Sequence, residues 1–129
     1  MIAIDTNVLV RFLVQDDEVQ YKRSLNLFQG NQIFVADSVV LETEWVLRFA
    51  YDYSPTEICT AFRRVFGLKN VMLAEPLLIA KAIVWHESGL DFADALHLAK
   101  CQHLKSLRTF DDKFVKRSKG LSECKVTVS

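Results

Sequence analysis

Short apolar runs alternate with stretches of helical period from one end of the chain to the other. Met1 to Ile4 is an apolar run closed by Asp5 and reads as a buried strand. Asn7 to Val14 reads as a short helix. Glu18 to Phe28 spaces Tyr21, Leu25 and Phe28 at a helical period, which Gly30-Asn31 breaks. Ile33 to Ala36 is a second strand, and Ser38 opens a long helix to about Tyr53. Ser54-Pro55-Thr56-Glu57 sets a cap ahead of a proline and starts a helix that runs to Phe66. Val71 to Leu73 is strand three and Glu75 to His86 a further helix, stopped by Gly89. Asp91 to His103 forms the next helix, Ser106 to Thr109 the fourth strand, Asp112 to Arg117 a short helix and Lys125 to Val128 the last strand.

Strands that alternate with helices predict a mostly parallel sheet. The expected fold is α/β, a three-layer α/β/α sandwich around a central five-stranded sheet. No repeat, low-complexity stretch or linker divides the sequence, so residues 1–129 are read as one domain. In such sheets ligands bind beyond the carboxyl ends of the strands.

Composition narrows the picture. Half of the residues are hydrophobic and a quarter are charged, a globular balance. Sixteen basic residues match sixteen acidic ones, so whole-molecule charge gives no pull toward nucleic acid. Any RNA contact has to come from a local patch or a bound cation. Cys59, Cys101 and Cys124 are odd in number and far apart, which suits free thiols in a reducing compartment. The first five residues carry no basic segment and reach a charge at Asp5, unlike a signal peptide. No apolar run approaches the roughly 18 residues of a membrane span. The expectation is a soluble, cytoplasmic protein with no membrane association.

Four acids stand where such a sheet builds its site. Asp5 follows the first strand and Asp111 closes the fourth; either one alone reads as a helix cap. Glu42 falls in the stripe Val39, Glu42, Val46, Phe49, where a glutamate is costly unless paired or set in a functional cleft. Glu44 is read as an ordinary surface acid paired with Arg48 four residues on. Asp94 follows Asp91 by one helical turn. Asp91 is read as the cap, with a supporting role at most, and two acids that close make more sense beside a cation. An all-oxygen set suits Mg²⁺ and phosphate chemistry. Zinc is disfavoured, because the cysteines do not cluster and His86, His97 and His103 do not share a face; these histidines are read as packing or surface residues.

Met1-Ile-Ala-Ile-Asp5-Thr-Asn-Val-Leu-Val, Val39-Val-Leu-Glu42-Thr-Glu-Trp-Val-Leu47, Asp91-Phe-Ala-Asp94-Ala-Leu-His-Leu-Ala99 and Thr109-Phe-Asp111 resemble, in order, the acidic motifs of PIN-domain nucleases. The resemblance covers nearly the whole chain and is closest to VapC-type toxins of toxin–antitoxin pairs. It implies a five-stranded parallel sheet and Mg²⁺- or Mn²⁺-dependent endoribonuclease activity. Metal binding is implied chiefly at Asp5 and Asp94, with Glu42 and Asp111 completing the acidic pocket and Thr6, Asn7 and Thr109 as polar neighbours. Asp112 adjoins Asp111, and helical period alone does not choose between them. The resemblance also implies a homodimer neutralised by a small VapB-type antitoxin. The mechanism expected is hydrolysis by a metal-activated water, leaving a 5′-phosphate and a 3′-hydroxyl; one or two metals are equally compatible.

An aspartyl phosphatase would need a second acid two residues after Asp5, where this chain has Asn7. A phosphorylation receiver would need an acceptor Asp after strand three, where Leu73-Ala74 stands. A solitary RNA-processing nuclease and a non-catalytic interaction domain share the expected fold. Among the basic residues, Arg11 and the Lys113–Lys119 group lie nearest the acidic motifs and rank first as phosphate contacts. Phe12, Trp45, Phe49, Phe62 and Phe66 are expected in the core, some of them lining a groove for an antitoxin helix.

Overall fold

Five of the seven helices start where a side chain takes over an unpaired N–H group, whereas the helix that follows Ala36 has no side-chain cap. The computed structural model describes residues 1–129. Strand β1 (Ile2–Ala3) leads into α1 (Thr6–Val14), capped by Asp5, whose Oδ1 accepts from the Val8 N–H at 3.0 Å. Helix α2 (Glu18–Gly30) is capped in the same way by Asp17. After β2 (Ile33–Val35) come α3 (Asp37–Ala50) and α4 (Pro55–Phe66). Helix α4 has the full capping box: Ser54 accepts from the Glu57 N–H, and Glu57 accepts from the Ser54 N–H. Strand β3 (Val71–Leu73) follows. Then come α5 (Pro76–Glu87), α6 (Phe92–Cys101), β4 (Ser106–Thr109), α7 (Asp112–Ser118) and β5 (Lys125–Val128). Gly89, at φ +119, makes the left-handed turn between α5 and α6 that a side chain would strain.

The chain forms two compact units, Met1–Pro76 and Leu77–Ser129. In the first, three parallel strands lie in the order β1-β2-β3, with Ile33 opposite Ile2 and Val71. Central β2 buries Ile33 and Val35 completely, and Leu9, Val40, Leu47, Ile58 and Phe62 fill the core around it. In the second, β4 and β5 pair in parallel from Ser106↔Lys125 to Thr109↔Val128. Its core is built from Ile79, Leu90, Phe92, Leu98 and Phe114.

The α/β fold with parallel strands is as the sequence predicts. One five-stranded sheet is not formed; the strands divide three and two. The reason lies in β1. Alternate residues of a parallel strand address opposite neighbours. The N–H groups of Ile2 and Ile4 both donate to β2 and its flank, at Gln32 and Phe34. Ala3 alone is left to face the other edge, too little for a ladder.

Helix α3 also ends earlier than expected, at Ala50. Asp52 takes a left-handed conformation (φ 56), and the Tyr53 N–H turns back to the Leu47 carbonyl at 3.0 Å. Helix α6 likewise stops at Cys101, short of His103. Residue Asp111 follows the end of β4 at Thr109 and caps α7.

Candidate active site

Two groups of acids are present, one in each unit. In Met1–Pro76, Asp5 sits exposed at the N-terminus of α1. Its Oδ1 is held by the Val8 N–H, while Oδ2 accepts no protein donor. The next residue, Thr6, is buried, and its hydroxyl donates a short hydrogen bond to Glu42 Oε1 on α3. Thr6 therefore ties the strand-one motif to the α3 motif and fixes the Glu42 carboxylate, whose Oε2 stays open.

The reading of α3 requires correction. The buried stripe is Val40, Thr43, Glu44, Leu47, not the face that carries Glu42. Glu44 is 1 % exposed, and both of its oxygens accept from Arg48, at 2.8 and 3.3 Å. The pair expected from the sequence exists, but it is anchored in the interior rather than on the surface. Glu42 itself is exposed and belongs with Trp45 and Phe49. These two aromatics, expected in the core, are 56 % and 61 % exposed and pack against each other with ring centroids 5.1 Å apart. Phe62 is buried as expected.

In Leu77–Ser129, Asp91 caps α6 by accepting from the Asp94 N–H at 3.2 Å. Asp94 is half-buried, and its carboxylate accepts no hydrogen bond from the protein. Burial pushes its pKa above the ordinary carboxylate range, and the charges of Asp91 and Asp111 push it further; His97 pulls in the opposite direction. The charge of Asp111 thus acts on Asp94 from the end of β4. The Asp111 N–H donates to Thr109 Oγ1 at 3.0 Å, and Asp111 Oδ1 accepts from the Lys113 and Phe114 N–H groups at 2.9 and 3.4 Å. Its Oδ2 is unoccupied by any protein donor.

Asp5, Glu42, Asp94 and Asp111 all keep at least one carboxylate oxygen without a protein donor, whereas Glu44 spends both. No three His, Cys, Asp or Glu side chains converge into a metal-holding group. The donors therefore do not make a closed all-protein cage. Within each unit the open carboxylates, Asp5 and Glu42 in one and Asp94 and Asp111 in the other, match in number what an ion such as Mg²⁺ takes while keeping water in its remaining positions. Cys59, Cys101 and Cys124 are free thiols, two of them buried. His86 is a packing residue, buried with Nδ1 2.8 Å from the Leu90 carbonyl and its ring edge-on to Phe92.

Arg11, ranked first as a phosphate contact, is occupied within the protein. Its Nη1 lies 2.9 Å from Asp16 and 3.0 Å from the Tyr51 hydroxyl, and Nε donates to Gln20 at 2.7 Å. These bonds to Asp16 hold the guanidinium still more firmly charged than usual. Asp16, Gln20 and Tyr51 went unread in the sequence, because only folding brings Tyr51 to α1. A polar stripe on α2, Gln20, Arg23 and Ser24, did carry a readable helical period. It faces α1 and, with Asp5, borders a cleft of about 260 Å³.

With this geometry in place, comparison with protein families is decisive for the class. The profile of the PIN domain matches residues 2–120, and the chain belongs to that family. The PIN domain is generally a nuclease fold, and its members typically depend on a divalent metal. No curated protein and no solved structure shows a match to the chain. The family match runs through both compact units. No helix is long and apolar enough to cross a membrane.

Proposed function

We propose that this PIN domain is an endoribonuclease that hydrolyses RNA with Mg²⁺ or Mn²⁺, with Asp5, Glu42, Asp94 and Asp111 as its catalytic acids. The observation that carries this reading is the open carboxylate oxygen on every one of the four, set against the fully engaged Glu44 beside them. Asp5 and Asp94 are the chief metal ligands in this reading. Glu42, steadied by the Thr6 hydroxyl, and Asp111, steadied by the Lys113 and Phe114 amides, orient the attacking water. A bound divalent cation supplies a nucleophile at neutral pH and neutralises charge developing on the phosphoryl oxygens.

Purified protein incubated with single-stranded RNA tests the chemistry. Cleavage is expected with Mg²⁺ or Mn²⁺, to stop with EDTA, and to leave 5′-phosphate ends. Robust cleavage in EDTA with 2′,3′-cyclic phosphate products would overturn the hydrolytic reading.

The four motifs also support a toxin role, with a homodimer in the cytoplasm and a small VapB-type antitoxin as partner. Induced expression is then expected to arrest growth, and co-expression of a small protein encoded beside it to relieve the arrest. Absence of arrest would point instead to a solitary RNA-processing nuclease.

A further inference from the structure

The cleft beside Asp5 lies between α1 and α2, within the first compact unit. Its wall brings together Asp5, Asn7, Arg11, Gln20, Arg23 and Ser24. Most of these groups are already committed. Arg11 and Gln20 bind each other, Arg11 is further held by Asp16 and Tyr51, and the Ser24 hydroxyl donates to the Val8 carbonyl at 3.1 Å. Arg23 differs. It is exposed on the cleft-facing stripe of α2, and no protein acceptor meets its guanidinium.

A guanidinium offers five donors and no acceptor, in a fork that matches an oxyanion. An arginine on an outer helix face is commonly just solvated. Here it lines a concave wall whose one acid is Asp5. With a divalent cation on Asp5 the wall is cationic on balance, and an anion approaching that cation meets Arg23 in the same cleft. RNA phosphates are the anions that a nuclease acid of this kind must receive.

We infer that Arg23 binds a phosphate of the RNA backbone flanking the scissile bond, making the α1–α2 cleft a substrate-positioning subsite. The inference rests on the ribonuclease reading and adds the residue that holds the strand. A phosphate contact carries no base information, so its loss weakens all sequences alike.

The test compares wild type, Arg23→Ala, Arg23→Lys and Lys22→Ala. Lys22 is the neighbouring basic residue on α2, engaged with Glu18 at 3.2 Å and outside the cleft wall. Binding of a short, non-cleavable single-stranded RNA analogue is measured with Mg²⁺, as are KM and kcat on cleavable RNA. Arg23→Ala is expected to raise both Kd and KM roughly tenfold at low salt, the scale of a hydrogen bond to a charged group, with kcat nearly unchanged. The slope of log K against log salt should fall by about 0.7, the value for one single-strand phosphate contact. Arg23→Lys should keep the salt slope and recover part of the affinity, and Lys22→Ala should match wild type.

Wild-type binding and slope in Arg23→Ala, with cleavage intact, would overturn this inference and leave the ribonuclease reading standing. An equal loss in Lys22→Ala would also overturn it, assigning the effect to general charge. If Arg23→Ala leaves RNA affinity unchanged but weakens an acidic protein partner, the cleft is a protein site. If the wild type neither binds nor cleaves RNA, the ribonuclease reading and this inference fall together.

Discussion

Asp94→Asn is expected to lower RNA cleavage by at least about a hundredfold, more than the loss of a residue that only supports a metal ligand. The substitution keeps the shape of the side chain and removes its charge. The same variant should change how stability depends on pH. Because the folded-state pKa of Asp94 is raised above the ordinary value of 3.8, the folded protein holds this proton more tightly than the unfolded chain. Its contribution to stability is fully present below the unfolded value and is lost as pH rises through the folded one. The metal-free wild type therefore carries repulsion among Asp94, Asp91 and Asp111 near neutral pH, and Asp94→Asn relieves it. Melting curves should show the variant losing less stability than wild type as pH rises above the ordinary carboxylate range. Saturating Mg²⁺ should raise the wild-type melting temperature at neutral pH and that of the variant far less. Wild-type cleavage by folded Asp94→Asn would remove Asp94 from the catalytic set.

Arg48→Ala is expected to destabilise the protein by roughly 3 kcal/mol, the lower end for breaking a buried pair, since Arg48 is itself partly exposed. What is lost is less the ion pair than the partner of Glu44, which would be left charged in the α3 core. Glu44→Leu combined with Arg48→Met should recover most of that stability, because a buried pair replaced by packed apolar groups is often neutral or better. Chemical denaturation reads the loss in Arg48→Ala, and across Glu44→Leu, Arg48→Met and the double variant it measures the coupling. Folded Glu44→Gln should keep most of its cleavage activity, while Glu42→Gln should lose it. Comparable activity losses at both glutamates would mean that the buried one also takes part in catalysis.

These two glutamates show how far the sequence can be read. Val39, Glu42, Val46, Phe49 and Val40, Thr43, Glu44, Leu47 are both helical stripes, about 130° apart, and each contains one acid. The Glu44–Arg48 pair is legible, but which stripe faces inward is not. Arg48 reaches back one turn to satisfy both oxygens of Glu44, which makes its burial tolerable. Trp45 and Phe49 are expected in the core only because they are large and apolar, and the structure leaves both exposed. The helix starts were legible because each cap is local: Asp5, Asp91 and Asp111 precede their helices in sequence, and Ser54-Pro55 signals α4 unaided. Strands β3, β4 and β5 fall where the sequence predicts them. The division of the strands into two sheets was not legible, since pairing joins distant residues and turns on the two-residue length of β1. The Arg11 network was hidden for a like reason, as Tyr51 lies 40 positions from Arg11.

The two tryptophans fall one to each compact unit, Trp45 at 56 % exposure and Trp85 at 5 %. Their surroundings are opposite: Trp45 faces water beside Phe49, while Trp85 is enclosed in α5 with the Lys81 ammonium 5.8 Å from its ring centre. The chain thus carries two natural optical labels. Trp45 should emit at longer wavelength and be quenched readily by iodide, and Trp85 should emit to the blue and resist the quencher. Following both ends of the emission band through denaturation distinguishes one shared cooperative transition from two successive ones. The fluorescence of the unmodified protein is therefore enough to ask whether the halves that bear Asp5 and Asp94 melt together.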